Sequence, residues 1–99
     1  MRTLKEIQSI LAQQKQMLLE KYGIKDLGIF GSYVRGSQTN QSDLDLLVDF
    51  ENLARLDLIK FIEIEYELSD LLGVKVDLVI REDLKPIIGR HVLEEVVPV

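Results

Sequence analysis

From Asp43 to Asp49 the chain reads Asp-Leu-Asp-Leu-Leu-Val-Asp, and this run allows few structures. In an extended strand successive side chains point to opposite faces. Leu44, Leu46 and Val48 then share one face, and Asp43, Asp45, Leu47 and Asp49 the other. Apolar residues on both faces indicate a strand covered on one side and lining a site on the other. Upstream, the apolar run Leu27-Gly-Ile-Phe30 ends in Gly31-Ser32, which reads as a strand entering a tight turn. Ten residues, Tyr33 to Ser42, separate that turn from the acids, and the one cation among them is Arg35.

Residue types in this order suit nucleotide chemistry. Alternate carboxylates on a strand lie about 6.6 Å apart at the backbone. Asp43 and Asp45 can therefore reach two ions roughly 3.5–4 Å apart, the separation used in two-metal phosphoryl and nucleotidyl transfer. Mg²⁺ takes a few carboxylates together with phosphate oxygens and waters, which such a site supplies. Gly31 lets the backbone approach a phosphate with no Cβ in the way, and the Ser32 hydroxyl and the amides after it can donate to phosphate oxygens. Arg35 is read two ways, as a forked phosphate contact or as a solvated surface charge. Asp77 stands among Val76, Leu78 and Val79 on a second strand, where an acid is costly unless it binds metal or is hydrogen-bonded. If the two strands are neighbours, Asp77 joins the site, on the metal that holds the attacking hydroxyl and with general-base help. Asp49 reads as an exposed strand-end acid rather than a ligand. His91, the only histidine, reads as packing or surface, and Glu63, Glu65 and Glu67 as a solvated helix face.

Around this centre the predicted order is α, β, short α, β, α, β, α. Thr3 to Glu6 forms a capping box, and Leu4, Ile7, Leu11, Leu18 and Tyr22 then recur at helical spacing up to a stop at Gly23. Tyr33 to Arg35 reads as a short helix and Gln38 to Ser42 as a polar loop. Asn52 is expected to cap a long helix reaching Leu72, with Leu58, Phe61, Ile62, Ile64, Leu68, Leu71 and Leu72 as its apolar stripe and Gly73 ending it. Val74 to Ile80 reads as a strand. Pro86 opens a last helix carrying Ile87, Ile88, Val92 and Val96, stopped by Pro98. The expected fold class is α/β: a small mixed sheet of about three strands packed with about four helices, in one domain over residues 1–99.

With 99 residues, 46% apolar and 29% charged, the chain is long enough for one core and reads as globular rather than disordered. It has no cysteine, so disulfides and thiolate zinc sites are excluded. The polar N-terminal residues and short apolar runs point away from a signal segment or a membrane span, and a cytoplasmic location is expected. A net charge of −5, from 12 Lys plus Arg against 17 Asp plus Glu, disfavours direct nucleic-acid binding. A nucleotide carried with Mg²⁺ is not subject to that objection, because the metal neutralises charge on both sides.

Gly-Ser, ten residues and Asp-x-Asp resemble the motif of the polymerase-β-type nucleotidyltransferase superfamily. The stretch from Gly31 to Val48 is similar to its small bacterial and archaeal branch, the minimal nucleotidyltransferases, and Val76-Asp77-Leu78-Val79 to that branch's third-carboxylate strand. The resemblance runs over nearly the whole chain. It implies that Gly31 and Ser32 hold nucleotide and that Asp43, Asp45 and Asp77 hold metal, with no departure from the pattern at these five positions. It further implies ATP as substrate and two Mg²⁺ ions as cofactors. The implied role is the antitoxin of a type VII-like two-gene module. Such a protein moves AMP from ATP to a tyrosine of a partner HEPN ribonuclease toxin, in a hetero-oligomer, and releases pyrophosphate. The chain lacks the toxin's own Arg-then-His motif. Larger members of the superfamily carry an extra domain that grips the acceptor; none fits in this length, so the acceptor is expected to be a protein. Two alternatives stay open: nucleotidyl transfer to a small molecule, and an antitoxin that inhibits by occlusion alone.

Overall fold

The computed structural model describes residues 2–99. The elements are α1 (Leu4–Tyr22), β1 (Ile24–Phe30), α2 (Ser32–Arg35), β2 (Leu44–Phe50), α3 (Leu58–Leu72), β3 (Val76–Ile80), α4 (Pro86–Glu95) and β4 (Val97–Pro98), with single 3₁₀ turns at Leu53–Arg55 and Arg81–Asp83. α1 starts at the expected box: the Thr3 hydroxyl accepts from the Glu6 amide at 3.2 Å while the Glu6 carboxylate accepts from the Thr3 amide at 3.3 Å. Gly23 and Gly73 end α1 and α3.

The four strands form one sheet in the order β3-β2-β1-β4. β1 runs antiparallel to both β2 and β4, and β2 runs parallel to β3. α1 and α3 bury Ile7, Leu11, Leu18, Ile64, Leu68 and Leu72 against Leu27, Ile29, Leu44, Leu46, Val48, Val76 and Leu78 in a single core cluster. The strand alternation predicted for residues 44–48 thus sets the core: all three apolar members of that face are fully buried.

Five details differ from the expectation. The sheet gains a fourth strand of two residues, because the chain after α4 returns along β1, with Val97 opposite Ile29 and Pro98 opposite Gly28. Pro98 therefore does not stop a helix; it sits on an outer strand, where a missing N–H is tolerated. Asn52 caps the 3₁₀ turn, accepting from the Ala54 amide. The cap of α3 is Asp57, which accepts from the Lys60 amide at 2.8 Å after Leu56 turns extended and interrupts the helix. The apolar stripe of α3 is narrower than predicted, since Leu58 is 71% and Ile62 40% exposed. On α4 only Gly89 and Val92 are buried, leaving Ile87 and Ile88 in solvent.

Glu65 and Glu67 are not simply solvated. Glu65 accepts from the Leu78 amide at 2.9 Å, and Ser69 accepts from the Val76 amide at 2.9 Å. Two outward N–H groups of the edge strand β3 are thereby satisfied, which protects an edge otherwise open to pairing. Glu67 pairs with Lys21. Asp49 is partly buried and pairs with Arg81 at 2.8 Å, so it is an ion-pair partner and not a free strand-end acid. His91 is exposed on α4. No helix among the described residues is long and apolar enough to cross a membrane.

Candidate active site

The site assembles at one end of the sheet because of strand register. Parallel pairing of β2 with β3 sets Asp45 directly opposite Asp77, and antiparallel pairing of β1 with β2 sets Phe30 opposite Asp45. Gly31, the next residue after Phe30, therefore begins its turn against the Asp45 carboxylate. Its φ of 83° and ψ of −153° lie where side chains are rarely accommodated, and a Cβ added there would collide with the Asp45 carboxylate, whose Cγ would be 3.0 Å away. Glycine at this position is thus required twice over, by backbone angle and by the acid.

The turn is braced from both sides. The Val34 and Arg35 amides donate to the Gly31 carbonyl at 3.1 and 3.2 Å, and Tyr33 is buried in the core cluster beneath. Ser32, partly buried, opens α2 directly above. Asp43, one residue before β2, is exposed and lies 3.9 Å from the Lys75 ammonium. Asp77 is exposed on β3.

Electrostatics confirm that the acids sense one another. Burial first, then the charges of Asp77 and Asp43, push the Asp45 carboxyl up to about 6, with Arg35 pulling the other way. Among the described residues no group of three or more His, Cys, Asp or Glu side chains converges as a ready-made metal cage. The reason is visible in the placements: Asp45 leans on Gly31, Asp43 toward Lys75, and Asp77 into solvent.

Arg35 is neither a free surface charge nor an open phosphate contact. Its Nη1 donates to Glu95 Oε1 at 2.6 Å, while Glu95 Oε2 accepts from the Gly31 amide at 3.0 Å. Partial burial opposes ionisation of Glu95, but the Gly31 N–H and the Arg35 guanidinium outweigh it and hold its carboxyl below the usual range. Glu95 is the site residue that sequence reasoning missed. It lies 60 positions from Arg35 at the end of a helix, where no periodicity or motif points to it; the one available signal was an unpaired cation beside the turn.

The structure therefore brings Gly31, Ser32, Arg35, Asp43, Asp45 and Asp77 to one end of the sheet, around a glycine turn and a carboxyl with a raised pKa. Known proteins resemble the chain over nearly its whole length. Residues 11–98 match the nucleotidyltransferase domain family. The protein adenylyltransferase MntA of Thermococcus cleftensis is 52% identical over 97 residues, covering 98% of this chain and 96% of that one. A solved structure described as a candidate minimal nucleotidyltransferase superposes with a TM-score of 0.73 at 34% identity, covering 94% of this chain and 95% of the other. A toxin–antitoxin crystal structure with AMP-PNP follows at TM-score 0.69 and 26% identity, covering 87% of this chain and 69% of its counterpart. A turn held open by glycine against a strand acid, in a chain that matches these proteins almost end to end, makes this protein a nucleotidyltransferase of the minimal branch.

Proposed function

We propose that this protein is a protein adenylyltransferase and the antitoxin of a toxin–antitoxin pair: it transfers AMP from ATP to a tyrosine of a partner HEPN ribonuclease toxin and so inactivates it. The observation that carries the proposal is the register that sets Asp45 against Asp77 and Gly31 against Asp45. The likeness to a named protein adenylyltransferase over 98% of the chain supports it.

The donor set suits Mg²⁺. Asp43, Asp45 and Asp77 stand at one end of the sheet, and burial first, then the charges of Asp77 and Asp43, raises the Asp45 carboxyl. Hard oxygen donors in excess of local positive charge are what a divalent ion relieves, with phosphate oxygens and water completing its shell. Asp43, Asp45 and Asp77 would hold it, as one ion or two. When bound, Mg²⁺ supplies charge neutralisation on the phosphates and acidifies the acceptor hydroxyl.

The chain's own residues do the rest. The Gly31 amide and the Arg35 guanidinium would be the donors to a phosphate at the turn, once released from Glu95, which engages both here. Asp77, exposed on the edge strand, would accept the proton of the incoming hydroxyl. The tyrosine oxygen forms a bond to the α-phosphorus as the bond from that phosphorus to the bridging oxygen breaks, and pyrophosphate leaves with the electron pair. In-line approach within about 3–3.5 Å is required.

Exposed apolar side chains on two helices support a protein acceptor: Leu58, Ile59 and Tyr66 on α3 are each 71% exposed, and Ile87 and Ile88 on α4 are 78% and 62% exposed, so they are open to a partner surface. AMP on a toxin tyrosine places a bulky anion beside the RNA-cleaving groups, where it repels RNA phosphate. We place the reaction in the cytoplasm, where ATP and RNA meet.

The test is mass spectrometry of the purified partner after incubation with this protein, ATP and Mg²⁺. Added adenylyl mass on tyrosine, with the toxin still inactive once this protein is removed, is the expected result. A toxin that regains full ribonuclease activity on separation, with no added mass, would show inhibition by occlusion and defeat the proposal.

A further inference from the structure

Glu95 occupies the two donors that the proposed nucleotide site would offer to a phosphate. One oxygen accepts from the Gly31 amide and the other from Arg35 Nη1. A carboxylate presents two acceptor oxygens and a negative charge, so among side chains it is the nearest mimic of a phosphate edge. Its position is not left to a flexible side chain on an open surface. Glu95 is the last residue of α4, two positions before Val97 pairs with Ile29 on β1. The Val96 side chain fills the space above Gly28, where a Cβ would overlap it, and the Val99 amide donates to the Leu27 carbonyl at 3.1 Å. The return of the chain along β1 thus delivers this carboxylate to the turn. Its side chain is only 21% exposed, against 58% for Arg35.

One further fact makes Glu95 more than a brace. Arg35 and the Gly31 amide cannot serve Glu95 and a phosphate with the same hydrogens at once. We infer that Glu95 is a built-in competitor for the triphosphate, which must displace it from Gly31 and Arg35, and that it thereby sets the nucleotide affinity of the site. The inference rests on the reading of Gly31 and Arg35 as phosphate donors. A site whose donors are engaged part of the time binds more weakly by the fraction that is free. For a partly exposed, charge-assisted pair that factor is about 3- to 10-fold.

The experiment is calorimetric titration of Mg²⁺-ATP, and separately of inorganic tripolyphosphate, into the wild type, Glu95→Gln, Arg35→Ala and the double variant. Glu95→Gln should bind both ligands about 3- to 10-fold more tightly, and the gain should shrink in the Arg35→Ala background, where one contested donor is gone. Equal or weaker binding by folded Glu95→Gln would overturn the inference and make Glu95 a brace for Arg35, with the nucleotide site intact. If no protein binds either ligand, the nucleotide reading and the inference fall together. A measurement without substitution stands beside these: the side-chain carboxyl carbon resonance of Glu95 in labelled wild type should move as tripolyphosphate is added. A resonance unmoved at saturation also overturns the inference.

Discussion

The two faces of the sheet are built from the same strands and do opposite work. On one face Leu44, Leu46 and Val48 are fully buried beneath α1 and α3. On the other, Phe30, Asp45, Asp49 and Val79 are only partly covered and Asp77 is exposed, although Leu47 among them is buried. Along β2, the partly covered acids Asp45 and Asp49 thus sit beside fully buried neighbours. The comparison shows how so short a chain carries a site of mutually repelling acids: the cost is met by a continuous apolar core on the far side of the same backbone. Stability is placed on one face and reactivity on the other.

The largest test of that division is Asp45→Asn. Removing one carboxylate from the proposed metal cluster should lower AMP transfer by a factor on the order of 10³ or more, while the fold survives. The same variant should melt at a higher temperature at pH 7 in metal-free buffer. The sign follows from proton binding. Burial, then the charges of Asp77 and Asp43, pushes the Asp45 carboxyl up to about 6 in the folded chain, from an ordinary 3.8. Between those values the folded state holds more protons than the unfolded state, so stability falls as pH rises from about 4 to about 6. Asparagine removes that loss and should flatten the pH dependence of melting in this window. A destabilised Asp45→Asn protein would mean that the acid face contributes to the core after all.

Asp77→Asn is the next in size. Transfer should fall by about 10²-fold or more, the range for loss of a positioned base, with ATP binding retained, since the phosphate donors proposed are Gly31 and Arg35. Lost ATP binding with an unchanged residual rate would exchange the roles assigned to Asp45 and Asp77. On the opposite face, Leu46→Ala should cost about 2–5 kcal/mol of folding stability through cavity formation, read by denaturant titration. Whatever folded protein remains should transfer AMP at nearly the wild-type rate per molecule. Smallest is Thr3→Ala, which removes the α1 cap far from either function and should cost about 1 kcal/mol.

Most of the core face was legible in the sequence, and for a definite reason. Alternation over residues 44–48 and helical spacing in α1 are local patterns that burial imposes along the chain. The Gly31 turn and the strand positions of Asp45 and Asp77 were legible too, since glycine marks the turn and apolar neighbours mark the strands. What escaped notice was made by contacts between distant segments. β4 is two residues long and contains a proline, so it has no period to detect. Glu95 reaches Arg35 across 60 positions, and Glu65 reaches β3 from a helix whose spacing predicted only a solvated acid. Asn52 was expected to cap α3 and caps a 3₁₀ turn instead, because Leu56 leaves the helical region and Asp57 then starts the helix.

The in-register pairing of β2 with β3 also bears on how the protein comes to be active. Parallel strands cannot be joined by a tight turn, and here the chain must lay down α3 before Val76–Ile80 can settle beside Leu44–Phe50. Contacts of such sequence separation form late and slowly, because the entropy of closing the loop is lost before the pairing rewards it. The β1–β2 hairpin, with Gly31, Asp43 and Asp45, can gather early, but Asp77 arrives only with the crossover. An incompletely folded chain emerging from the ribosome would then hold a turn and two acids without the third; under the proposed mechanism, competence for transfer is acquired in the same step as the completed sheet.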